Sequence, residues 1–340
     1  MSETLAFTSY SDSATLALER ETIFARAWQY VGHLGQVQRP GDYFVATVGH
    51  VPVVVLRDEE GELRAFLNVC RHRGSEVVQG SGNRKTLQCH YHAWTYRLDG
   101  ELLAAPRSER EPGFDPEGLS LLPAGLDTFG PLVFVNPDPA APPLSEIAAA
   151  IPASLESGGI ELGALVFNRR VDFSLDANWK VVIENYLECY HCPTAHPDFS
   201  RAVDVHPDRY VLETGRWSSS QYAKARIGTG AIETGQFHFL WPNTRINVFP
   251  GVPNLSIGPA LPAESERTTG FFDYFFGAGV SETEIEELIA FDTQVGAEDR
   301  VLVESVQRGM RSGVLDHGRL LPQSERLIAH FQTLVRDAYS

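Results

Sequence analysis

Four residues in two short stretches offer metal a mixed set of sulfur and nitrogen ligands. Cys70-Arg71-His72 and Cys89-His90-Tyr91-His92 form C-x-H, sixteen intervening residues, then C-x-x-H. Two thiolates and two imidazoles suit zinc, and they equally suit a 2Fe–2S cluster with both cysteines on one iron and both histidines on the other. Zinc fingers pair C-x-x-C with H-x-x-x-H on a ββα unit, whereas here each half brings one Cys and one His from a predicted β-turn. A second constellation, ECYHCPTAH at 188–196, packs one carboxylate, two cysteines and two histidines into nine positions. On a helix, Asn185, Glu188 and His191 fall at i, i+3 and i+6 and share a face. Pro193 disfavours helix at Cys192, so the chain is expected to leave the helix there and return His196 beside His191, with Cys189 and Cys192 as packing residues. A carboxylate would complete a 2-His-1-carboxylate triad, which leaves positions on Fe(II) open for oxygen. A thioredoxin-like dithiol needs a strand-to-helix turn in a βαβ pattern, which is missing, and no oxyanion-hole motif accompanies a Cys/His nucleophile.

Both constellations need elements to hold them. The segment ATLALERETIFARAWQYV has helical spacing and predicts an N-terminal helix. Residues 43–96 change character: apolar and polar residues alternate around GH and DEEGE turns, the pattern of a β-meander. Strands continue through GPLVFVN, and the proline-rich PDPAAPPLSE reads as a connection between domains. Beyond it, NRRVDFSLDANWKVVIENYLECYHC reads as a strand running into a helix, followed by further strands and a largely helical tail. The coarse prediction is an all-β module followed by an α+β module.

At 340 residues the chain has room for two domains, and 43% hydrophobic, 10% aromatic and 21% charged residues mark a folded protein. A net charge of −16 argues against a nucleic-acid surface, because phosphate binding needs a concentrated Lys/Arg field. No signal peptide pattern and no apolar run of bilayer length appear, so a cytoplasmic protein without membrane contact is expected. Four cysteines in a reducing compartment are expected as thiols or metal ligands rather than disulfides.

The stretches NVCRHRG and LQCHYHAWTY closely resemble the two cluster-binding loops of Rieske proteins. From about residue 20 to the C-terminus the chain resembles an α-subunit of the Rieske non-haem iron oxygenases. The resemblance implies an α+β fold, with an N-terminal all-β Rieske domain and a C-terminal antiparallel-sheet helix-grip (START/Bet v1-like) catalytic domain. Its implied borders are 1–38 for a helical segment packing on the catalytic domain, 39–150 for the Rieske domain and 151–340 for the catalytic domain. It puts Cys70 and Cys89 on one iron of the cluster and His72 and His92 on the other. The family motif E/D-x-x-H-x-x-x-x-H maps the ligands of a mononuclear Fe(II) onto His191 and His196. Glu188 then corresponds to a bridging carboxylate that contacts a cluster histidine of the neighbouring subunit in a trimer. The third ligand falls in TQVGAEDRVLVESVQRG, where Asp299 matches best, beside Glu298 and two turns after Asp292. Asn185 is expected to line the pocket or orient the site. The implied chemistry uses O2 and electrons from NAD(P)H. With no G-x-G-x-x-G fingerprint in this chain, a separate flavin or iron–sulfur reductase, with or without a ferredoxin, must deliver them.

The stretch ENYLECYHCPTAHP is most similar to the subgroup acting on choline, glycine betaine, proline betaine and carnitine; arene dihydroxylating members mostly carry Asp at the bridging position. The implied product is an alcohol or, where the hydroxylated carbon is bonded to nitrogen, a hemiaminal that collapses with N-demethylation. In NTRINV, strand alternation puts Asn243, Arg245 and Asn247 on one face. As a pocket wall that face would let Arg245 bind a substrate carboxylate, with Phe239, Trp241 or Phe249 caging an ammonium. Competing readings are a ring-hydroxylating dioxygenase, an electron-transfer protein with a non-catalytic ligand domain, and a zinc-structured module.

Overall fold

The computed structural model describes residues 2–148, 150–226 and 230–340. The chain forms two compact units, Phe24–Pro142 and a second that joins the residues up to Ile23 with Pro143–Ser340.

The Phe24–Pro142 unit is built from ten strands: β1 (Gln29–His33), β2 (Asp42–Val48), β3 (Val51–Arg57), β4 (Leu63–Leu67), β5 (Ser81–Asn83), β6 (Leu87–Gln88), β7 (Thr95–Tyr96), β8 (Leu102–Ala104), β9 (Gly125–Phe129) and β10 (Leu132–Asn136). They pair in three antiparallel sheets with orders β4-β3-β2-β5, β6-β7-β8 and β9-β10-β1. The expected meander is present. Val48 pairs with Val51 across the two-residue turn Gly49-His50, and Gly49 takes the positive φ of 62° that such hairpin turns require. In β3, Val53–Leu56 are fully buried, because this central strand is covered on both faces. The first Cys/His pair follows β4, and the second fills the loop between β6 and β7, whose register pairs Gln88 with Thr95.

The N-terminal helix is shorter than expected. Helix α1 (Ser13–Thr22) starts at Asp12, whose carboxylate accepts from the N–H groups of Ala14 and Thr15. The expected continuation to Val31 is instead strand β1, buried at all five positions and paired with β10. Tertiary pairing overrides the helical spacing there, and residues 24–38 belong to the unit ending at Pro142.

The larger unit carries a seven-stranded antiparallel sheet: β11 (Val166–Leu175), β12 (Val211–Thr214), β13 (Ser218–Lys224), β14 (Thr234–Leu240), β15 (Thr244–Val248), β16 (Asn254–Glu264) and β17 (Arg267–Phe276). Their order is β11-β17-β16-β15-β14-β13-β12. Helix α2 (Trp179–Tyr186) packs on β16 and β17, and α3 (Glu282–Arg311) packs on α2; α4 (Arg326–Ala338) closes the chain. Ser281 and Glu284 form a capping box that starts α3. One all-β unit and one unit with an antiparallel sheet gripped by helices make up the expected α+β class.

Helix α2 is anchored by buried charge. Lys180 Nζ lies 2.5 Å from Glu19 Oε1 with both side chains fully buried, and Trp179 Nε1 donates to Glu19 at 2.8 Å. On the same helix Glu184 accepts from Tyr10 Oη at 2.7 Å and Gln332 Nε2 at 2.9 Å, and burial pushes its carboxyl up to about 7. The N-terminal segment and α4 are thereby tied to the helix that leads into residues 188–196. No helix among the described residues is long and apolar enough to cross a membrane.

Candidate metal centres and cavity

Helix α2 ends at Tyr186, six residues before the expected exit at Cys192. The Tyr186 carbonyl accepts from Gln221 Nε2 at 2.6 Å, and the Glu188 carboxylate accepts from the backbone N–H groups of Tyr190 and His191. A side chain has taken over donors that the helix would need, as Asn, Asp and Ser do at turns. The chain then makes one short helical turn over Cys192–Ala195, with Pro193 at its start, where a missing N–H costs nothing. Asn185, Glu188 and His191 thus do not share one continuous helix face, although Glu188 still meets the His191 ring at Nδ1.

The outcome for the histidines is the convergence that the spacing suggested. His191 Nε2 and His196 Nε2 lie 3.1 Å apart, and Asp299 Oδ1 from α3 is 3.0 Å from His196 Nε2 and 3.5 Å from His191 Nε2. Asn185 Nδ2 donates to the same Asp299 oxygen at 2.8 Å. Glu298 turns to the other side of His196, with Oε2 2.7 Å from Nδ1. Asp292 goes elsewhere, accepting from Tyr274 Oη at 2.7 Å, and burial pushes its carboxyl up to about 6.

The electrostatics suit a cation. Burial opposes charge on His191, but hydrogen bonds and attraction from Asp299 and Glu188 outweigh it and raise the imidazole to about 9. Burial likewise opposes charge on His196, and Asp299 raises it. Asp299, despite its own burial, is held far below the ordinary carboxylate range by the two imidazoles. Three donor atoms that lie within 4.8 Å of one another, with negative charge in excess, fit one divalent ion, and among the described residues no other His, Cys, Asp or Glu set is this compact.

The first constellation has a different geometry. Cys70 and Cys89 are buried free thiols, and the His72 and His92 rings are exposed with centroids 4.6 Å apart. The thiols pair with each other and the imidazoles pair with each other, but the four donors are too spread for a single zinc tetrahedron. A two-iron cluster fits this division. Tyr96 Oη accepts from Arg71 N–H at 3.0 Å and lies 3.3 Å from Cys70 Sγ, to which it would donate once that sulfur is a thiolate ligand. Trp94 stacks on His72 with centroids 4.9 Å apart. His90 is exposed.

Cys189 and Cys192 are joined in a disulfide, against the expectation of free packing thiols. Because α2 has already ended, these residues lie on a turn that brings their Cα atoms to 4.9 Å, within bridging range. They do pack in an apolar cluster, with Phe199, Phe237 and Phe249.

A cavity of about 380 Å³ opens beside the His191, His196 and Asp299 group. Arg245, Asn247 and Phe249 line it, as the alternation of β15 suggested. Asn243, Trp241 and Phe239 do not. Asn243 is buried and donates to the Ala260 carbonyl at 3.1 Å, while Trp241 and Phe239 pack on Phe331 of α4. They lie at or near the hairpin end of β14 and β15, where helix α4 covers the sheet. The guanidinium of Arg245 is nine-tenths buried, with its carbon 4.5 Å from the Phe272 centroid, 5.0 Å from that of Phe173 and 5.9 Å from that of Tyr186. Its Nε and Nη2 have no hydrogen-bond partner among the described residues. Sequence reasoning missed Phe199 and Phe237 in the lining, the Tyr96 bond to Cys70 and the place of Glu298. Only the aromatic residue in LQCHYHAWTY offered a signal for any of these.

Residues 27–126 match the Rieske 2Fe–2S domain, and residues 162–340 match the catalytic domain of the ring hydroxylating alpha subunit. The chain is 35% identical to the carnitine monooxygenase oxygenase subunit of Acinetobacter pittii, over 96% of its own length and 92% of that protein's. The chain belongs to the Rieske non-haem iron oxygenases. This oxygenase is also 31% identical to the chloroplastic choline monooxygenase of Beta vulgaris, covering 95% of its own chain and 74% of that protein. Its structure matches the quaternary ammonium Rieske monooxygenase CntA in complex with γ-butyrobetaine, with a TM-score of 0.87, 32% identity and coverage of 100% and 96% of the two chains. Naphthalene 1,2-dioxygenase from Rhodococcus shares the fold, with a TM-score of 0.83 at 20% identity over 99% and 94% of the two chains. The zinc-structured and purely electron-transferring readings give way. The chain is a terminal oxygenase component, an oxidoreductase whose cofactors are a Rieske 2Fe–2S cluster and a mononuclear iron.

Proposed function

We propose that this oxygenase hydroxylates a small zwitterion with a quaternary ammonium at one end and a carboxylate at the other. The observation that carries the proposal is Arg245, a buried cation in the cavity wall whose Nε–Nη2 edge has no hydrogen-bond partner among the described residues. That edge matches a carboxylate geometrically. Both nitrogens are buried, so a carboxylate that takes both needs a neighbouring side chain to turn aside. Phe199, Phe237 and Phe249 offer ring faces for an ammonium. Relatives named for carnitine, and a relative bound to γ-butyrobetaine, support this substrate class.

In this proposal Cys70, Cys89, His72 and His92 hold the cluster, and His191, His196 and Asp299 hold the mononuclear iron. Once bound, that iron supplies oxygen activation. The chain's own residues position the reaction: Arg245 anchors the carboxylate, the rings exclude water from the ammonium end, and Asn185 fixes the Asp299 oxygen. Glu188, held against His191 Nδ1, serves as the contact for a cluster histidine of a neighbouring subunit in a homotrimer or a multiple of one. The exposure of His72 and His92 suits such a contact. One oxygen atom enters a C–H bond, and the other leaves as water with two electrons and two protons. Where that carbon bears the nitrogen, the hydroxylated product collapses to a carbonyl compound and a tertiary amine, splitting the C–N bond. A separate flavin or iron–sulfur reductase, with or without a ferredoxin, brings the electrons from NAD(P)H, in the cytoplasm.

The test is oxygen uptake by the iron-loaded, reductively supplied enzyme across carnitine, γ-butyrobetaine, glycine betaine, choline and simple arenes, with product masses. Stimulation with product formation by the carboxylated compounds is expected. Turnover of arenes without any trimethylammonium compound would replace the proposal by a ring-hydroxylating dioxygenase, and turnover of choline alone would remove the carboxylate.

A further inference from the structure

His196 is gripped at both ring nitrogens by consecutive residues of one helix. Asp299 Oδ1 lies 3.0 Å from Nε2, and Glu298 Oε2 lies 2.7 Å from Nδ1. Neighbouring side chains on a helix diverge by about 100°, so they cannot reach one point, but an imidazole between them presents one nitrogen to each. An ionised carboxylate only accepts, so each ring nitrogen faces an acceptor; when a metal takes the place between Nε2 and Asp299, Nε2 gives up its proton and Nδ1 keeps its own for Glu298.

Glu298 is itself held. Its Oε1 accepts from Gln294 Nε2 at 3.2 Å, one turn earlier on α3, and the same nitrogen donates to Asp198 Oδ2 at 3.0 Å. Asp198 lies two residues after His196, so the loop that presents the imidazole and the helix that orients it are cross-linked. His191 has the matching arrangement, with Glu188 on Nδ1 and Nε2 facing His196. Both imidazoles therefore have a carboxylate on the outer nitrogen and the shared donor group on the inner one.

We propose that Glu298 is a positioning residue: it fixes His196 in the Nδ1–H tautomer and aims Nε2 at the mononuclear iron. The inference rests on the assignment of His191, His196 and Asp299 as iron ligands. Partners of this kind raise ligand basicity and hold ring orientation, and losing one weakens metal binding about 10–100-fold.

The test is Fe(II) affinity at the mononuclear site, by chelator competition on the full-length protein with its Rieske cluster assembled. Cluster absorption and the unfolding midpoint serve as controls for fold. Asp299→Ala is expected to abolish stoichiometric binding of the single iron. Glu298→Ala should still bind one iron, about 10–100-fold more weakly. Glu298→Gln, whose amide oxygen can accept from Nδ1, should recover most of that loss. An affinity for Glu298→Ala within about twofold of the unaltered protein overturns the proposal. Loss of stoichiometric binding in both Glu298 variants, with Asp299→Ala still loaded, also overturns it by making Glu298 the ligand. If Asp299→Ala and His196→Ala both bind iron normally, the ligand assignment fails instead. Should Glu298→Ala not fold, Glu298→Gln and Gln294→Ala decide: a folded Gln294→Ala with weakened iron binding supports the clamp, and unchanged affinity in both variants removes it.

Discussion

Replacing Arg245 by methionine should separate substrate recognition from stability. In the folded chain the guanidinium leaves two buried donors without partners, and each unmade bond costs roughly 1–3 kcal/mol. Burial also lowers its pKa, which signals an uncomfortable charge. Against this stand the faces of Phe173, Phe272 and Tyr186, each worth about 0.5–2 kcal/mol to a cation. The two contributions nearly cancel, and methionine retains the apolar stem contacts, so Arg245→Met is expected to change unfolding free energy by less than about 2 kcal/mol in either direction. Binding of a carboxylated substrate should suffer far more. Removing one partner of a buried charge pair costs about 2–5 kcal/mol, which is a loss of roughly 30- to 4,000-fold. The assay is kcat/KM for γ-butyrobetaine or carnitine beside that for choline, with denaturant unfolding of the same preparations. The carboxylated substrates should lose that factor, mainly in KM, while any activity on choline changes little. Equal losses on both kinds of substrate would refute the anchoring role and point to an effect on the iron site. Undiminished activity on the carboxylated ones would refute it outright.

Burial raises the Glu184 carboxyl from 4.5 to about 7, so the folded chain keeps a proton that the unfolded chain releases. Its contribution to stability is complete below about pH 4.5, declines as pH rises, and is lost above about pH 7, a change on the order of 3 kcal/mol. Glu184→Gln retains an oxygen for Tyr10 and Gln332 and should flatten that decline in pH-dependent denaturant unfolding; an unchanged slope would assign it to other groups. Tyr96→Phe removes the hydrogen bond to Cys70 Sγ and should move the cluster potential in the negative direction in a spectroelectrochemical titration, because hydrogen bonds to sulfur favour the reduced state. An unmoved potential would mean that the bond is not made. With the cluster removed and the chain denatured without reductant, a thiol reagent should add to Cys70 and Cys89 alone, and to all four cysteines after reduction. Four adducts before reduction would show that Cys189 and Cys192 are not joined.

Much of the chemistry was legible in residue type and spacing. The Cys and His residues at 70–92 read as metal ligands, and the return of His196 toward His191 was foreseen, although α2 ends at Tyr186 and not at Cys192. The alternation of β15 was enough to put Arg245 and Asn247 on one wall, because strand periodicity is local geometry. Failures occurred where distant partners decide. Gln221 takes the Tyr186 carbonyl where α2 ends, and β10 recruits Gln29–His33 into a sheet; neither partner is near in sequence. Trp241 and Asn243 share the right stretch but lie where α4 covers the sheet, a fact of packing rather than pattern. The choice among Asp292, Glu298 and Asp299 shows the division most clearly. The sequence, through its resemblance to the family, pointed to an acidic residue on one long helix as the third ligand, and that helix and its carboxylates were legible because both are local properties. Only the tertiary structure decided among them: the docking of α3 against the His191–His196 loop sends Asp299 to Nε2, Glu298 to Nδ1 and Asp292 to Tyr274, because a rotation of about 100° per residue turns one helix position into a different neighbour.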